Sequence, residues 1–377
     1  MPLAANFDQR VGPTVPWHNQ PPMPSFWSTL GPEAQGPGTA RCPVPSLAMS
    51  LRLALILVVC GVVLLCAQGA VARYKPLPAS GDSWYWEIDP PKAGVGGLPP
   101  ISAPYPRPGS ARIWDTDLFF DSNTSSGRKL GIPTRPSHVV RALHRAGHYS
   151  ICYVEAGAYQ TNFPDGADFA PSDYGHRAKR YQLGDFPDEW YFDIRGFRHY
   201  VAGRPSTLNG AARDIASGLD KRLKWCRLEG QDAVEPDDLD GYSNRSATGA
   251  KGGGWGLTRM DAVGFERWLA HQAHAHGLAI LQKNDPDNAS VDEPLFDGVI
   301  TEECNFYRDP CAGPGGDWNR YLAAHKPILD AEYRQDPEKL SRFCPSDRKW
   351  GIWGALFSVD LNGPGTYSVC WNEANRL

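Results

Sequence analysis

Two acidic stretches offer the clearest chemistry in this sequence. Val234-Glu-Pro-Asp-Asp-Leu-Asp-Gly-Tyr242 sets carboxylates at Glu235, Asp237, Asp238 and Asp240, and Thr301-Glu-Glu-Cys304 adds Glu302 and Glu303. Acids that close short apolar runs suit paired general acid/base work. One, ionised, attacks or guides water at an anomeric carbon, and the other, protonated, delivers a proton to the leaving oxygen. Similar junctions carry Asp115 and Asp117, Tyr153 and Glu155, Asp193 and Arg195, Lys283, Asn284 and Asp285, and Glu332 with Tyr333. Rival chemistries find less support. A calcium loop of EF-hand type needs an acid where Pro236 stands, although an isolated oxygen-ligand site stays open as an alternative. His271, His274 and His276 lack a His-Glu-x-x-His frame and read as an exposed helical face. Gly252–Gly256 lacks the P-loop order and reads as a flexible insertion, and no serine stands in a nucleophile elbow. No metal and no cofactor are expected.

Elements of a repeating kind must position these groups. His138–Ala146, Ala211–Leu228 and a helix capped by Thr258-x-x-Asp261 each carry an apolar stripe and end before a glycine: Gly147, Gly230 and Gly277. A short apolar strand follows each glycine, and such alternation predicts a parallel sheet with helical crossovers. Strand candidates are Trp84–Ile88, Arg112–Phe119, Tyr149–Val154, Trp190–Ile194, Ala233–Glu235, Leu278–Gln282, Gly298–Thr301, Pro327–Ala331 and Ile352–Phe357. With no dinucleotide-binding glycine fingerprint and with polar clusters after almost every strand, the expected fold is a (β/α)8 TIM barrel of class α/β. Nine candidates then compete for eight places. The first or the last is expected to be accessory, because Pro90–Pro108 carries no helical pattern.

Composition narrows the partners. The chain has 377 residues, 38 basic against 42 acidic groups and a net charge of −4, with no basic run to serve nucleic-acid phosphates. Thirteen Trp, 15 Tyr and 14 Phe supply a core with aromatics left over for a sugar surface. Met49-Ser-Leu-Arg52, the apolar run Leu53–Ala67 and the small-residue end at Ala72 read as a signal peptide; the alternative is an uncleaved transmembrane anchor. Residues 1–48 are expected to be an unstructured extension preceding a usable start at Met49, and residues 73–377 the barrel domain. Six of nine cysteines lie beyond the leader. Cys304–Cys311 and Cys344–Cys370 are the favoured disulfides, while Cys152 and Cys226 read equally well as core thiols. Sequons at Asn123, Asn244 and Asn288 agree with a secreted glycoprotein. A monomer without a stable protein partner is expected.

Several motifs in order resemble the endo-α-1,4-polygalactosaminidase family of glycoside hydrolases: Tyr149–Gly157, Asp188–Arg195, Ala233–Tyr242, Leu281–Asp285, Phe296–Cys304 and Ala331–Tyr333. The resemblance spans roughly Trp84 to Cys370. It implies a secreted barrel hydrolase that cleaves α-linked, galactosamine-rich polymer, endo-acting and retaining. It puts the nucleophile on Asp237 and the acid/base on Glu302 or Glu303, with Glu302 preferred. Glu235, Asp240, Tyr242, Lys283, Asn284, Asp285, Glu303, Tyr333, Tyr153 and Asp193 are the expected substrate-binding residues. Lys283, Asn284 and Tyr333 are expected to orient the sugar, and Asp193 to pair with Arg195. Asp238 replaces the family's usual Asn, and Ala247–Gly256 is an added glycine-rich segment. Further acids, Asp185, Asp188, Glu189, Asp238, Asp240, Asp285, Asp287, Glu303 and Glu332, are expected to draw a cationic polymer into the cleft. Two alternatives remain at this level. One is an α-galactosidase acting on neutral sugars. The other is a catalytically silent carbohydrate-binding barrel with Trp86, Tyr153, Tyr242, Trp255 and Tyr333 as stacking platforms.

Overall fold

The computed structural model describes residues 74–78, 83–88, 111–119, 131–184, 186–204, 207–307, 311–334, 339–359, 361 and 367–370. All of them belong to one compact unit, Gln68–Leu377. The expected extension and leader, and the sequon at Asn123, lie outside the described residues.

Parallel strands β1 (Trp84–Glu87), β2 (Ile113–Asp117) and β3 (Tyr149–Glu155) come first, with helix α1 (His138–Arg145) before β3. A small antiparallel pair follows, β4 (Ala158–Gln160) and β5 (Glu189–Tyr191). Then come α2 (Ala211–Glu229), β6 (Ala233–Asp237), α3 (Arg259–Ala275), β7 (Ala279–Lys283), α4 (Ala289–Asp292), β8 (Gly298–Glu302), α5 (Asn319–Ala323), β9 (Ile328–Tyr333), α6 (Leu340–Trp350), β10 (Trp353–Phe357) and β11 (Ser368–Val369). The sheet order is β1-β2-β3-β6-β7-β8-β9-β10-β11, parallel throughout except for β11. This is the expected TIM barrel, nearly closed. At the seam between β10 and β1 the Trp84 ring meets Phe357 edge-on at 5.1 Å, and the Ile88 N–H donates to the Leu361 carbonyl at 3.2 Å.

The accessory strand differs from the expected one. Both the first and the last candidates are barrel strands, and the fourth, around Trp190, is the outsider. β3 pairs directly with β6 in parallel, so β5 has no place in the barrel and pairs with β4 beside the mouth.

The period of two along each strand divides the core. Inward positions Trp84, Ile113, Ile151, Ala233, Leu281, Ile300, Leu329 and Trp353 fill the barrel, while Val154, Val234, Ile280, Val299 and Ile328 face outward against Ile215, Leu219, Phe265 and Trp268 of the helices. The helix joints are those expected from sequence. Ser137 accepts from the Val140 N–H, Thr258 and Asp261 form a capping box, and Gly147, Gly230 and Gly277 take left-handed φ values of 85°, 94° and 73°.

Three disulfides form: Cys304–Cys311, Cys344–Cys370 and also Cys152–Cys226, which staples β3 to α2. Three sequence expectations are corrected here. Gly252–Gly254 is a buried, packed turn and not a flexible insertion; a Cβ on Gly254 would lie 2.0 Å from the Arg180 carbonyl oxygen. Asn288 is fully buried, its amide donating to Glu266 and Asp285, so this sequon has no exposed acceptor in the folded chain. The transmembrane alternative is not upheld: among the described residues no helix is long and apolar enough to cross a membrane, while Leu53–Ala67 itself lies outside them.

Candidate active site

Following the inward positions upward, Ala233, Glu235 and Asp237 on β6, Leu281 and Lys283 on β7, and Ile300 and Glu302 on β8 run from an apolar floor to a charged mouth at the strands' C-terminal ends. Lys283 stands at the centre, only 2% exposed. Its Nζ lies 2.8 Å from Asp237 Oδ1, 3.0 Å from Glu302 Oε2 and 3.5 Å from Glu235 Oε1, and 4.9 Å from the centre of the Trp86 ring. Burial works against the ammonium, but the three carboxylates outweigh it and hold its proton far above the ordinary lysine range.

The two expected acids are differently held. Asp237 Oδ2 accepts from the Tyr153 hydroxyl at 2.8 Å, and Oδ1 accepts from the Asp238 N–H at 2.8 Å. Burial pushes the Asp237 carboxyl up, but the Lys283 charge and these donors prevail and leave it below its ordinary range, as an anionic nucleophile requires. Glu302 is locked by Asn284 through two bonds of 2.9 Å. The Asn284 amide donates to Oε2, and the Glu302 N–H donates to Asn284 Oδ1. The Tyr333 hydroxyl donates to Glu302 Oε1. Both acids keep a partly exposed side chain at the mouth, 20% for Asp237 and 26% for Glu302.

The backbone turns away directly behind these groups. Asp238, Asn284, Asp285 and Glu303 have φ of 57°, 47°, 56° and 54°, a region that costs L-residues energy and that clusters at functional sites. Gly157 makes room for one such turn. Its N–H donates to the Asp237 carbonyl, and a Cβ there would lie 2.0 Å from the Asp238 carbonyl oxygen.

Of the expected substrate-binding residues, Tyr153, Lys283, Asn284 and Tyr333 converge on the acid pair, and Glu235 lies in the layer beneath, fully buried. Tyr242 and Asp285 pair with each other at 2.7 Å, Asp240 accepts from the Asn244 amide at 3.0 Å, and Glu303 follows Glu302 on the rim. Asp193 pairs with Arg195, as expected, through two bonds of 2.7 Å, beside a cavity of about 280 Å³ lined by Gly196, Asn209, Gly210 and Ala211 and not by Asp237 or Glu302. Glu332 faces away from the cleft. It is buried on the outward side of β9, where it accepts from the Asn305 N–H, because the pleat turns Tyr333 inward.

The stacking-platform reading also changes. Trp86, Tyr153 and Tyr333 are buried, and Trp255 is stacked on Tyr181 at 3.9 Å with its indole N–H given to the Tyr191 carbonyl. The three histidines are half-buried rather than an exposed face. His274 contacts Asp297 at 2.8 Å and His276 contacts Asp220 at 2.6 Å. Asp115 and Trp86 complete the second layer. They occupy the inward register below Asp117 and beside Glu235, where sequence had named Asp115 as a strand-end acid and Trp86 as a stacking platform.

One further acidic group adjoins Asp237. Oxygens of Glu155, Glu189 and Asp238 lie within 4.8 Å of one another, close enough to hold a cation. Burial, then the charge of Asp238, pushes Glu189 up to about 9. The other candidate metal group among the described residues, Cys304, Cys311 and Asp330, has its thiols tied in a disulfide.

Two carboxyl groups at the mouth of a parallel barrel are what glycoside hydrolysis needs. The chain matches the glycoside-hydrolase family GH114 over residues 66–373, and it belongs to that family. Among solved structures it is similar to Aspergillus fumigatus Ega3 in complex with galactosamine, at 23% identity and a TM-score of 0.57, over 80% of this chain and 100% of that one. It also matches the glycoside hydrolase domain of PelA from Pseudomonas aeruginosa, at 14% identity and a TM-score of 0.46, over 74% and 96%. Comparison with curated proteins gives no match.

Proposed function

We propose that the protein is a secreted hydrolase of galactosamine-containing polysaccharide that cleaves within the polymer and with retention. Asp237 is the nucleophile and Glu302 the acid/base. The observation that carries this reading is the single ammonium of Lys283 bonded to both acids. Their bonded oxygens are thereby closer together than the ~6.5–9.5 Å that an inverting pair leaves for its water, and nearer the ~5–5.5 Å of retaining pairs. Glu302 gives its proton to the glycosidic oxygen as that bond to the anomeric carbon breaks and Asp237 bonds to the same carbon. Glu302 then takes a proton from water, whose oxygen displaces Asp237, and the sugar leaves with a free reducing end. The similarity to a barrel solved with galactosamine supports the substrate class. Three disulfides support export to an oxidising compartment.

Reducing-end release from galactosaminan, compared with an aryl α-galactoside, tests the substrate. Asp237→Asn and Glu302→Gln should each lower turnover at least ~100-fold with the fold intact. Near-normal activity in either variant removes that residue from the mechanism, and a first-formed product of inverted anomeric configuration overturns retention.

A further inference from the structure

The aromatics that sequence offered as sugar platforms are buried or half-buried, yet two others stand in solvent. Among the described residues the exposed aromatic side chains are Phe186 and Tyr307, and Tyr307, at 66%, is the most exposed of the large hydrophobic residues. It lies one turn beyond the end of β8, where the Tyr307 N–H donates to the Glu303 carbonyl at 3.1 Å. Its loop is firmly fixed. Cys304–Cys311 closes it, and Asn305 ties it to the barrel wall. The Asn305 N–H donates to Glu332 Oε1 at 2.8 Å, and its amide donates to Asp330 Oδ2 at 3.1 Å and to Asp347 Oδ1 at 3.2 Å. These three acids are completely buried on β9 and α6, and the two-step reaction uses none of them. The half-buried Phe306 ring meets that of Tyr307 edge-on, with centres 5.1 Å apart.

We propose that Tyr307 is a substrate-binding residue on the leaving-group side of the cleft, where its ring stacks on the sugar whose oxygen Glu302 protonates. The proposal rests on the reading of Glu302 as the acid and of a galactosamine polymer as the substrate. An acid hands its proton to the oxygen that departs, so the loop continuing from the acid borders the departing sugar and not the one that bonds to Asp237. A pyranose ring presents a face of C–H bonds. An aromatic ring is apolar with a negative face, so it suits that surface and the ammonium of a deacetylated residue alike. The disulfide and the Asn305 anchors order the loop before the polymer arrives, so little conformational freedom is lost on binding. A hold on the departing side also suits cleavage within a chain, which places sugars on both sides of the scissile bond.

Two substrates separate the sides of the cleft. Galactosaminan carries sugar on both sides of the bond that is cut, whereas the α-fluoride of a galactosamine disaccharide has only fluoride on the leaving side. In Tyr307→Ala, KM for the polymer should rise about tenfold with kcat within about twofold, while both constants for the fluoride stay as in the wild type. Tyr307→Phe keeps the ring and should keep KM for the polymer within about twofold of the wild type. A polymer KM unmoved by Tyr307→Ala overturns the proposal. An equal rise with the fluoride also overturns it, because the ring would then serve the other side of the cut. So does a lower kcat at constant KM on both substrates, the mark of a disturbed loop and not of a platform. A loss in Tyr307→Phe as large as in Tyr307→Ala overturns stacking, since the hydroxyl would then carry the contact. Failure of the wild type on both substrates overturns the galactosamine reading and this proposal with it, whereas an active wild type matched by Tyr307→Ala overturns the proposal alone.

Discussion

Lys283 is the residue around which the mouth is organised, and its depth decides what it does. Sequence position suggests a sugar-orienting lysine; in the structure Lys283 is 2% exposed and contacts three carboxylates, which favours a role on the acids over one on the polymer. Lys283→Met should therefore lower kcat at least ~100-fold while leaving KM nearly constant, because the cleft surface is unchanged while Asp237 loses the charge that favours its anion. Steady-state kinetics on the polymer separate the two outcomes. A raised KM with intact kcat would return Lys283 to the substrate surface.

Among the elements, β3 and α2 carry the wall beside β6 and its Asp237. Cys152–Cys226 joins them, and Arg222 of α2 reinforces the joint. Its guanidinium is buried against Phe119, Phe163 and Phe169, bonds both oxygens of Asp165 at 2.6 and 2.9 Å, and donates to the Glu155 carbonyl at the end of β3. Removing one member of a buried ion pair leaves the other without compensation. Arg222→Ala should thus cost ~3–5 kcal/mol of stability, measurable by denaturant unfolding. A loss below ~1 kcal/mol would show that Asp165 finds solvent or another donor.

For the whole molecule, many carboxyl groups sit where their charge is disfavoured. Burial above all pushes Glu87, Glu235, Asp240 and Asp292 up to about 7, Asp347 to about 8 and Glu189 to about 9. In the unfolded chain these groups titrate near the ordinary 4.5 for Glu and 3.8 for Asp. Between those limits the folded state binds more protons than the unfolded one, so stability falls as pH rises. The lowered carboxyls of Asp237, Asp220 and Asp261 act oppositely, and their contribution is lost only below their ordinary range. Calorimetry should accordingly give a melting temperature that declines from pH 5 to pH 9, and a flat or rising curve would contradict this balance. Outer acids such as Asp188, Asp287 and Glu303 bear on the substrate. Exposed charges are screened over ~10 Å at 0.1 M salt, so KM for a deacetylated, cationic polymer should rise with ionic strength while KM for fully acetylated oligomers barely moves. An equal response to both would reduce the outer acids to solubilising groups, and faster cleavage of neutral galactosides would favour the α-galactosidase alternative.

Local rules in the sequence determined much of this protein. Helix stripes, the Thr258–Asp261 cap and glycine stops at Gly147, Gly230 and Gly277 depend on neighbours within a few residues, and they appear in the structure as expected. Strand-end acids were legible for a related reason, since an acid that closes an apolar run on the inward register of a parallel barrel stands at its mouth. Tertiary structure alone decided the rest. Strand pairing excluded β5 from the barrel, because β3 meets β6 across the intervening residues. The pleat turned Glu332 outward and Tyr333 inward. Disulfide pairing of Cys152 with Cys226 required β3 and α2 to come together across 74 residues of sequence. Depth was the least legible quantity, because whether Lys283 and Glu235 meet sugar or meet only one another depends on how many barrel layers lie above them, and those layers are built by distant strands.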